Sequence, residues 1–119
     1  MLNFIHKGSY LLVEVSGVYS LKFFTDSIHQ IIAQSQKEKI TTILVDIRNV
    51  DGDPSIMDRY NIGVEIAKHW SNNIQAAAVV REEVYQVLTE NVAVNRGANF
   101  RVFTKMEAAL KWLNVTNNE

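Results

Sequence analysis

The sequence predicts a single α/β domain, and three observations carry that expectation. Apolar residues alternate in short runs near the amino end and then recur at spacings of three and four, so strands give way to interleaved helices. Ile43, Leu44 and Val45 are apolar on consecutive positions, as in a strand of a parallel sheet covered on both faces. A chain of 119 residues suffices for one core and is short for two. Together these predict the order ββαβαβαβα, a mixed and mostly parallel sheet of about five strands with about four helices. The domain is expected to span residues 1–115, with a polar, frayed tail over 116–119.

The first two strands are expected at residues 3–7 and 10–16. Gly8-Ser9 forms the two-residue link, where Gly can take the positive φ of a type II′ turn. Leu11, Val13 and Val15 mark the more deeply buried face, and Gly17 closes the second strand. Ser20 is a candidate N-cap for a helix striped by Leu21, Phe24, Ile28, Ile31 and Ile32, with a polar far end over residues 34–39. Residues 40–47 form the central strand. A second helix shows the stripe Ile56, Tyr60, Gly63, Ala67 and Trp70; a mid-helix Gly costs about 1 kcal/mol relative to Ala, which points to a close helix approach at Gly63.

Residues 74–80 read as a strand of small side chains. Glu82 and Glu83 suit the start of a third helix running through Val84, Leu88 and Asn91 or Val92 to a terminating Gly97, with Arg96 suited to its negative end. A last strand at 100–103 precedes a helix with a capping-box pattern, Thr104 and Glu107, and the stripe Met106, Ala109, Leu110 and Leu113.

Composition removes several functional classes. Twelve basic against thirteen acidic residues give a net charge of -1, and the basic residues are scattered, so no nucleic-acid surface is expected. Without cysteine there is no disulfide, thiol catalysis or thiolate metal site. No apolar run approaches the roughly 18 residues of a spanning helix, and the amino end lacks a signal-type pattern. A cytoplasmic protein is the plain expectation. His6, His29 and His69 lie far apart in sequence with no paired ligand spacing, so neither a metal nor a cofactor is expected. There is no Gly-rich phosphate loop and no nucleophile motif, and no catalytic residue is assigned.

The acidic, Gly- and Pro-punctuated stretch after the central strand is the place to look, because ligands and partners meet open α/β sheets at such strand ends. Asp46, Asp51, Asp53 and Asp58 are carboxylates that could hold a cation. An EF-hand register starting at Asn49 fails, with Pro54 where Gly is required and Tyr60 where Glu is required. Two readings of the helix start remain open. In one, Asp53 is the cap, Pro54 the first helical residue, and Ser55 presents its hydroxyl outward, where a phosphate would meet free N–H groups. In the other, Ser55 is itself the cap and Asp58 its capping-box partner. Tyr60, Trp70, Phe103 and Trp112 are candidates to line an apolar pocket, with core packing as the alternative. Apolar residues on the hairpin could also support a homodimer.

Two segments carry a family resemblance. ILVDIRNVDG, residues 43–52, with the following IMDRYNIG, and AVNRGANFRVFTKMEAALKWL, residues 93–113, resemble the SpoIIAA-like branch of the STAS-like family. The resemblance implies a STAS-like fold with helices mainly on one side, and a regulatory or protein-interaction role rather than catalysis. The corner residues Asp51, Asp53, Asp58 and Arg59 are the candidates to dock such a protein partner. Bacterial anti-sigma factor antagonists of this type are phosphorylated on Ser or Thr at the start of the helix after the central strand, which makes Ser55 the phosphoacceptor candidate. Those antagonists usually carry an Asp-Ser or similar pair followed by a small residue and Gly, whereas here Pro54 intervenes and Ile56-Met57 follow. The branch is also similar to lipid-binding domains of the CRAL-TRIO type, which implies the alternative of a small carrier for a nonpolar ligand or lipid, with a role at a membrane surface open to it.

Overall fold

The computed structural model describes residues 1–70 and 73–116. Strands β1 (Leu2–His6) and β2 (Leu11–Val18) form the expected hairpin, closed by a bond from the Lys7 N–H to the Tyr10 carbonyl with Gly8 at φ 90°. Helix α1 (Leu21–Glu38) starts at Ser20, whose Oγ accepts the Phe23 N–H at 3.0 Å. Then come β3 (Thr42–Asp51), α2 (Ile56–Trp70), β4 (Gln75–Val79), α3 (Leu88–Asn95), β5 (Asn99–Phe103) and α4 (Met106–Leu113). The sheet order is β1-β2-β3-β4-β5; β1 and β2 are antiparallel and the other pairings parallel. The predicted element order and mixed sheet are therefore found, with β3 central.

Side-chain alternation divides the sheet into two faces. Leu11, Val13, Val15, Ile43, Val45, Ala76, Ala78 and Phe100 face α1, α2 and α3. Tyr10, Leu44, Ala77 and Val79 face α4 alone, which contributes Ala109, Leu110 and Leu113. At Gly63 a Cβ would stand 2.8 Å from the Thr89 carbonyl oxygen and from Val92 Cβ, so the close approach of α2 and α3 requires the glycine.

Five boundaries differ from expectation. β2 runs past Gly17 because Gly17 and Val18 pair with Val50 and Asp51. β3 accordingly continues four residues beyond Ile47, and a bulge lies between the Glu14–Asp46 and Ser16–Asn49 pairs. The expected third helix is divided: Glu82–Val84 is one 3-10 turn, and the α-helix restarts at Leu88. The Thr104–Glu107 capping box does not form; Lys105 occupies the cap position without a side-chain bond. In α2 the inward face is Arg59, Ile62, Gly63, Ile66, Ala67 and Trp70, leaving Ile56 and Tyr60 outside. The tail expected to fray falls largely on residues 117–119, outside the described residues.

Candidate functional site

The corner between β3 and α2 is built from three directions. β3 ends at Asp51; Gly52, at φ 96°, turns the chain, and α2 begins at Ile56. From the β2–α1 junction, the Tyr19 N–H donates to the Asp51 carbonyl at 2.8 Å and the Tyr19 hydroxyl donates to Asp58 Oδ2 at 2.9 Å. From the segment after β4, Arg81 donates to the Val50 carbonyl at 3.3 Å. Arg59 points inward from α2, donating through Nε to the Pro54 carbonyl at 3.1 Å and through a terminal nitrogen to Asp53 Oδ2 at 3.3 Å. Its own carbonyl accepts the Thr89 hydroxyl of α3 at 3.0 Å. The turn is thus held in place while its outer side meets solvent.

Ser55 is exposed and caps α2: its Oγ accepts the Asp58 N–H at 3.2 Å, and its carbonyl accepts the Arg59 N–H. The alternative with Asp53 as cap and Pro54 as the first helical residue is not what forms. Asp58 does not return the capping-box bond, because its carboxylate receives the Tyr19 hydroxyl. Burial raises the Tyr19 pKa, and the hydrogen bond to Asp58 and its charge raise it further, so this hydroxyl stays a donor well above neutral pH.

The four aspartates do not form one cluster. Asp46 is a buried residue on the α4 side of β3, clasped by Arg48 through Nε at 2.9 Å, a terminal nitrogen at 2.8 Å and its backbone N–H at 3.1 Å. Burial pushes the Asp46 carboxyl up, but these bonds and the Arg48 charge outweigh it and hold the group below the usual carboxylate range. Asp53 and Asp58 are committed to Arg59 and Tyr19, and Asp51 is exposed at the strand end. Asp51, Asp53, Ser55 and Asp58 do share the rim, with Arg59 buried behind them.

Sequence reasoning missed what lies beside the rim. Ile56 and Met57 are 71% and 66% exposed, and with Tyr60 and Leu88 they line a shallow apolar depression. Arg96, from the predicted helix exit, lies over the Tyr60 ring at 5.4 Å and donates to its hydroxyl at 3.0 Å. The i, i+4 spacing of Ile56 and Tyr60 looked like a core stripe, but the buried face of α2 begins at Arg59 and Ile62 and leaves both outside.

The pocket candidates separate in the same way. Trp70 lines a cavity of about 110 Å³ between the three-helix layer and the sheet, walled by Val15, Ile28, Val45, Ile66 and Phe100. Gly52, Asp53, Pro54 and Arg59 of the corner also border it. Tyr60 belongs to the outer depression, and Phe103 and Trp112 pack together on the α4 face with ring centroids 5.8 Å apart. They do not line this cavity. On the hairpin, the large apolar side chains that stand exposed are Met1 and Val18. No described helix is long and apolar enough to cross a membrane.

Two of the three histidines, far apart in sequence, lie side by side in the fold. His6 pairs with Glu38 at 2.8 Å, but His29 and His69 are brought together with Glu65 at the α1–α2 seam. Glu65-x-x-x-His69 was the available signal; the third member comes from another helix.

No protein-family model matches the sequence, and no curated protein matches it at a significant level. Solved structures do match. An anti-sigma factor antagonist from Mycobacterium paratuberculosis superposes with a TM-score of 0.66 at 14% identity, over 96% of this chain and 93% of that one. An uncharacterized protein with a SpoIIAA-like fold from Shewanella loihica gives 0.55 at 18% identity, over 95% and 92%. The anti-sigma factor antagonist SpoIIAA in its unphosphorylated form gives 0.54 at 10% identity, over 98% and 100%. The chain therefore has the SpoIIAA-like, STAS-like fold.

Proposed function

We propose that this SpoIIAA-like chain is a noncatalytic regulatory module that docks a protein partner through the β3–α2 corner. One observation carries the reading: Ile56 and Met57 stand outside on a helix start that is bonded to Tyr19 and Thr89 and follows a strand end bonded to Arg81, next to an exposed Ser55. Large apolar side chains held on a rigid element lose little freedom on binding and can act as anchors, with the aspartates of the rim as polar surround. Two of the structural neighbours are anti-sigma factor antagonists, which supports a protein partner in the cytoplasm and a role without catalysis.

Ser55 is the switch in this proposal. Phosphorylation would replace a cap hydroxyl by a dianion at the positive end of α2, beside the Ile56–Met57 anchors and close to Asp58. Affinity capture from the source cell should recover a partner with the wild-type chain and with Ser55→Ala, and lose it with Ile56→Asp/Met57→Asp and with Ser55→Asp. Intact mass after incubation with ATP and cell extract should rise by one phosphate in the wild type and not in Ser55→Ala. Retention of every partner by the Ile56→Asp/Met57→Asp chain removes the docking role; absence of the phosphate removes the switch alone.

A second reading is favoured by the cavity. A void of about 150 Å³ suffices for benzene in a protein interior, so the cavity of about 110 Å³ suits a small nonpolar molecule rather than an acyl chain. Native mass spectrometry showing only bare polypeptide, with no melting shift from small aromatics, would remove this reading.

A further inference from the structure

His29 projects from α1 and Glu65 and His69 from α2, across the seam between the two helices. Glu65 and His69 are four residues apart and so share one face of α2 on successive turns. Glu65 Oε2 lies 3.2 Å from His69 Nε2 and 3.7 Å from His29 Nε2, and the imidazole centroids are 4.1 Å apart. Among the described residues, these three are the group of His, Asp and Glu side chains whose donor atoms all converge, each within 4.8 Å of the others. The backbones that carry them are already fixed: the Trp70 indole N–H, next to His69, donates to the carbonyl of Ile28, next to His29, at 3.0 Å.

We propose that His29, Glu65 and His69 form a binding site for a divalent transition cation of the zinc class. Metal–ligand bonds of about 2.0–2.1 Å in a tetrahedron put neighbouring donor atoms roughly 3.4 Å apart. The Glu65–His69 separation already meets that, and His29 closes the remainder by a small side-chain rotation, which its 54% exposure leaves free. Two imidazole nitrogens and one carboxylate oxygen suit zinc, cobalt, nickel or copper; calcium and magnesium take oxygen donors. Glu65 and His69 are each about three-quarters buried while His29 faces solvent, so the ion enters from outside and a fourth position stays open to water. Bound there, it ties α1 to α2, the helix whose other end forms the corner.

The test is zinc titration of the metal-free full chain by calorimetry, with cobalt absorption as the second readout. One zinc per chain is expected, with the visible bands of low-symmetry cobalt carrying nitrogen and oxygen ligands. Replacing a ligand should weaken binding at least as much as losing an outer partner does, about 10–100-fold; Glu65→Gln, His69→Ala and the half-exposed His29→Gln should all show it. His6→Ala, at the separate Glu38 pair, should bind as the wild type does. Melting temperature should rise with zinc in the wild type and stay flat in His29→Gln. Absence of binding, or equal binding by wild type and the three ligand variants, overturns the site. His29→Gln cannot fail for reasons of folding, because its side chain is half in water.

Discussion

The two faces of the sheet are covered unequally. One face carries α1, α2 and α3, borders a partly open cavity of about 110 Å³, and holds the buried polar side chains Ser27, Ser35 and Arg59 within or under its helices. The other carries α4 alone, and its centre is closed by Tyr10, Leu44, Ala77, Val79, Ala109, Leu110 and Leu113, with Asp46 as its buried charged group. Several helices meeting over one twisted sheet leave gaps at their junctions, and polar side chains settle there. One short amphipathic helix over alanines leaves no such gap. Candidate function follows the gaps: corner, cavity and histidine cluster all lie on the three-helix side.

Adjacent alanines of β4 offer the strongest way to break that contrast. Ala77 is fully buried against α4, and Ala78 borders the cavity. Valine at either position gains the same strand propensity, so the difference between the two variants isolates packing. Ala77→Val should overpack and lose about 1–3 kcal/mol, whereas Ala78→Val should be neutral or gain up to about 1 kcal/mol by filling space. Urea unfolding of both variants reads the difference directly. Equal losses would mean that the two faces are packed alike.

What the sequence made legible was whatever one element decides alone. Ile43 to Val45 announced a doubly covered strand, Ser20 announced a cap, and Gly63 announced a close approach, because each signal depends on local periodicity or on a residue's own shape. The extension of β3 to Asp51 was hidden: Arg48 and Asn49 read as loop, and only pairing with Ser16 and Gly17 beyond a bulge makes that segment strand. The outward turn of Ile56 and Tyr60 was hidden for a similar reason, since apolar spacing alone does not say which side of a helix start faces the core. Glu65 with His29 and His69 required two helices to be laid side by side.

A second test asks whether the corner is held from outside α2. Tyr19→Phe removes one charge-assisted bond to Asp58 and should cost about 1.5 kcal/mol in unfolding free energy at neutral pH. The pH dependence has a definite sign. The Tyr19 hydroxyl is raised in the folded chain by burial first and by Asp58 second, so its contribution is complete below the ordinary tyrosine value of about 10 and is lost as pH rises through the higher folded value. Wild type should therefore lose stability on alkaline titration more steeply than Tyr19→Phe. Parallel slopes would show that the hydroxyl does not hold the corner.

The smallest effect belongs to the ionic group of the closed face. Asp46 lies beside Val79 in the parallel register and is clasped by Arg48, two residues along its own strand. Its folded pKa is depressed, because the Arg48 bonds outweigh burial. The pair therefore contributes stability above the ordinary aspartate value of about 3.9, and that contribution disappears as pH falls through the lower folded value. Because the Arg48 side chain is 42% exposed, solvent weakens the pair, and Asp46→Asn should cost about 1 kcal/mol or less. The difference between wild type and Asp46→Asn should shrink toward zero in acid unfolding experiments. A cost that persists unchanged at low pH would mean that Asp46 serves the closed face through shape and neutral hydrogen bonding, and that this side of the sheet makes no use of charge.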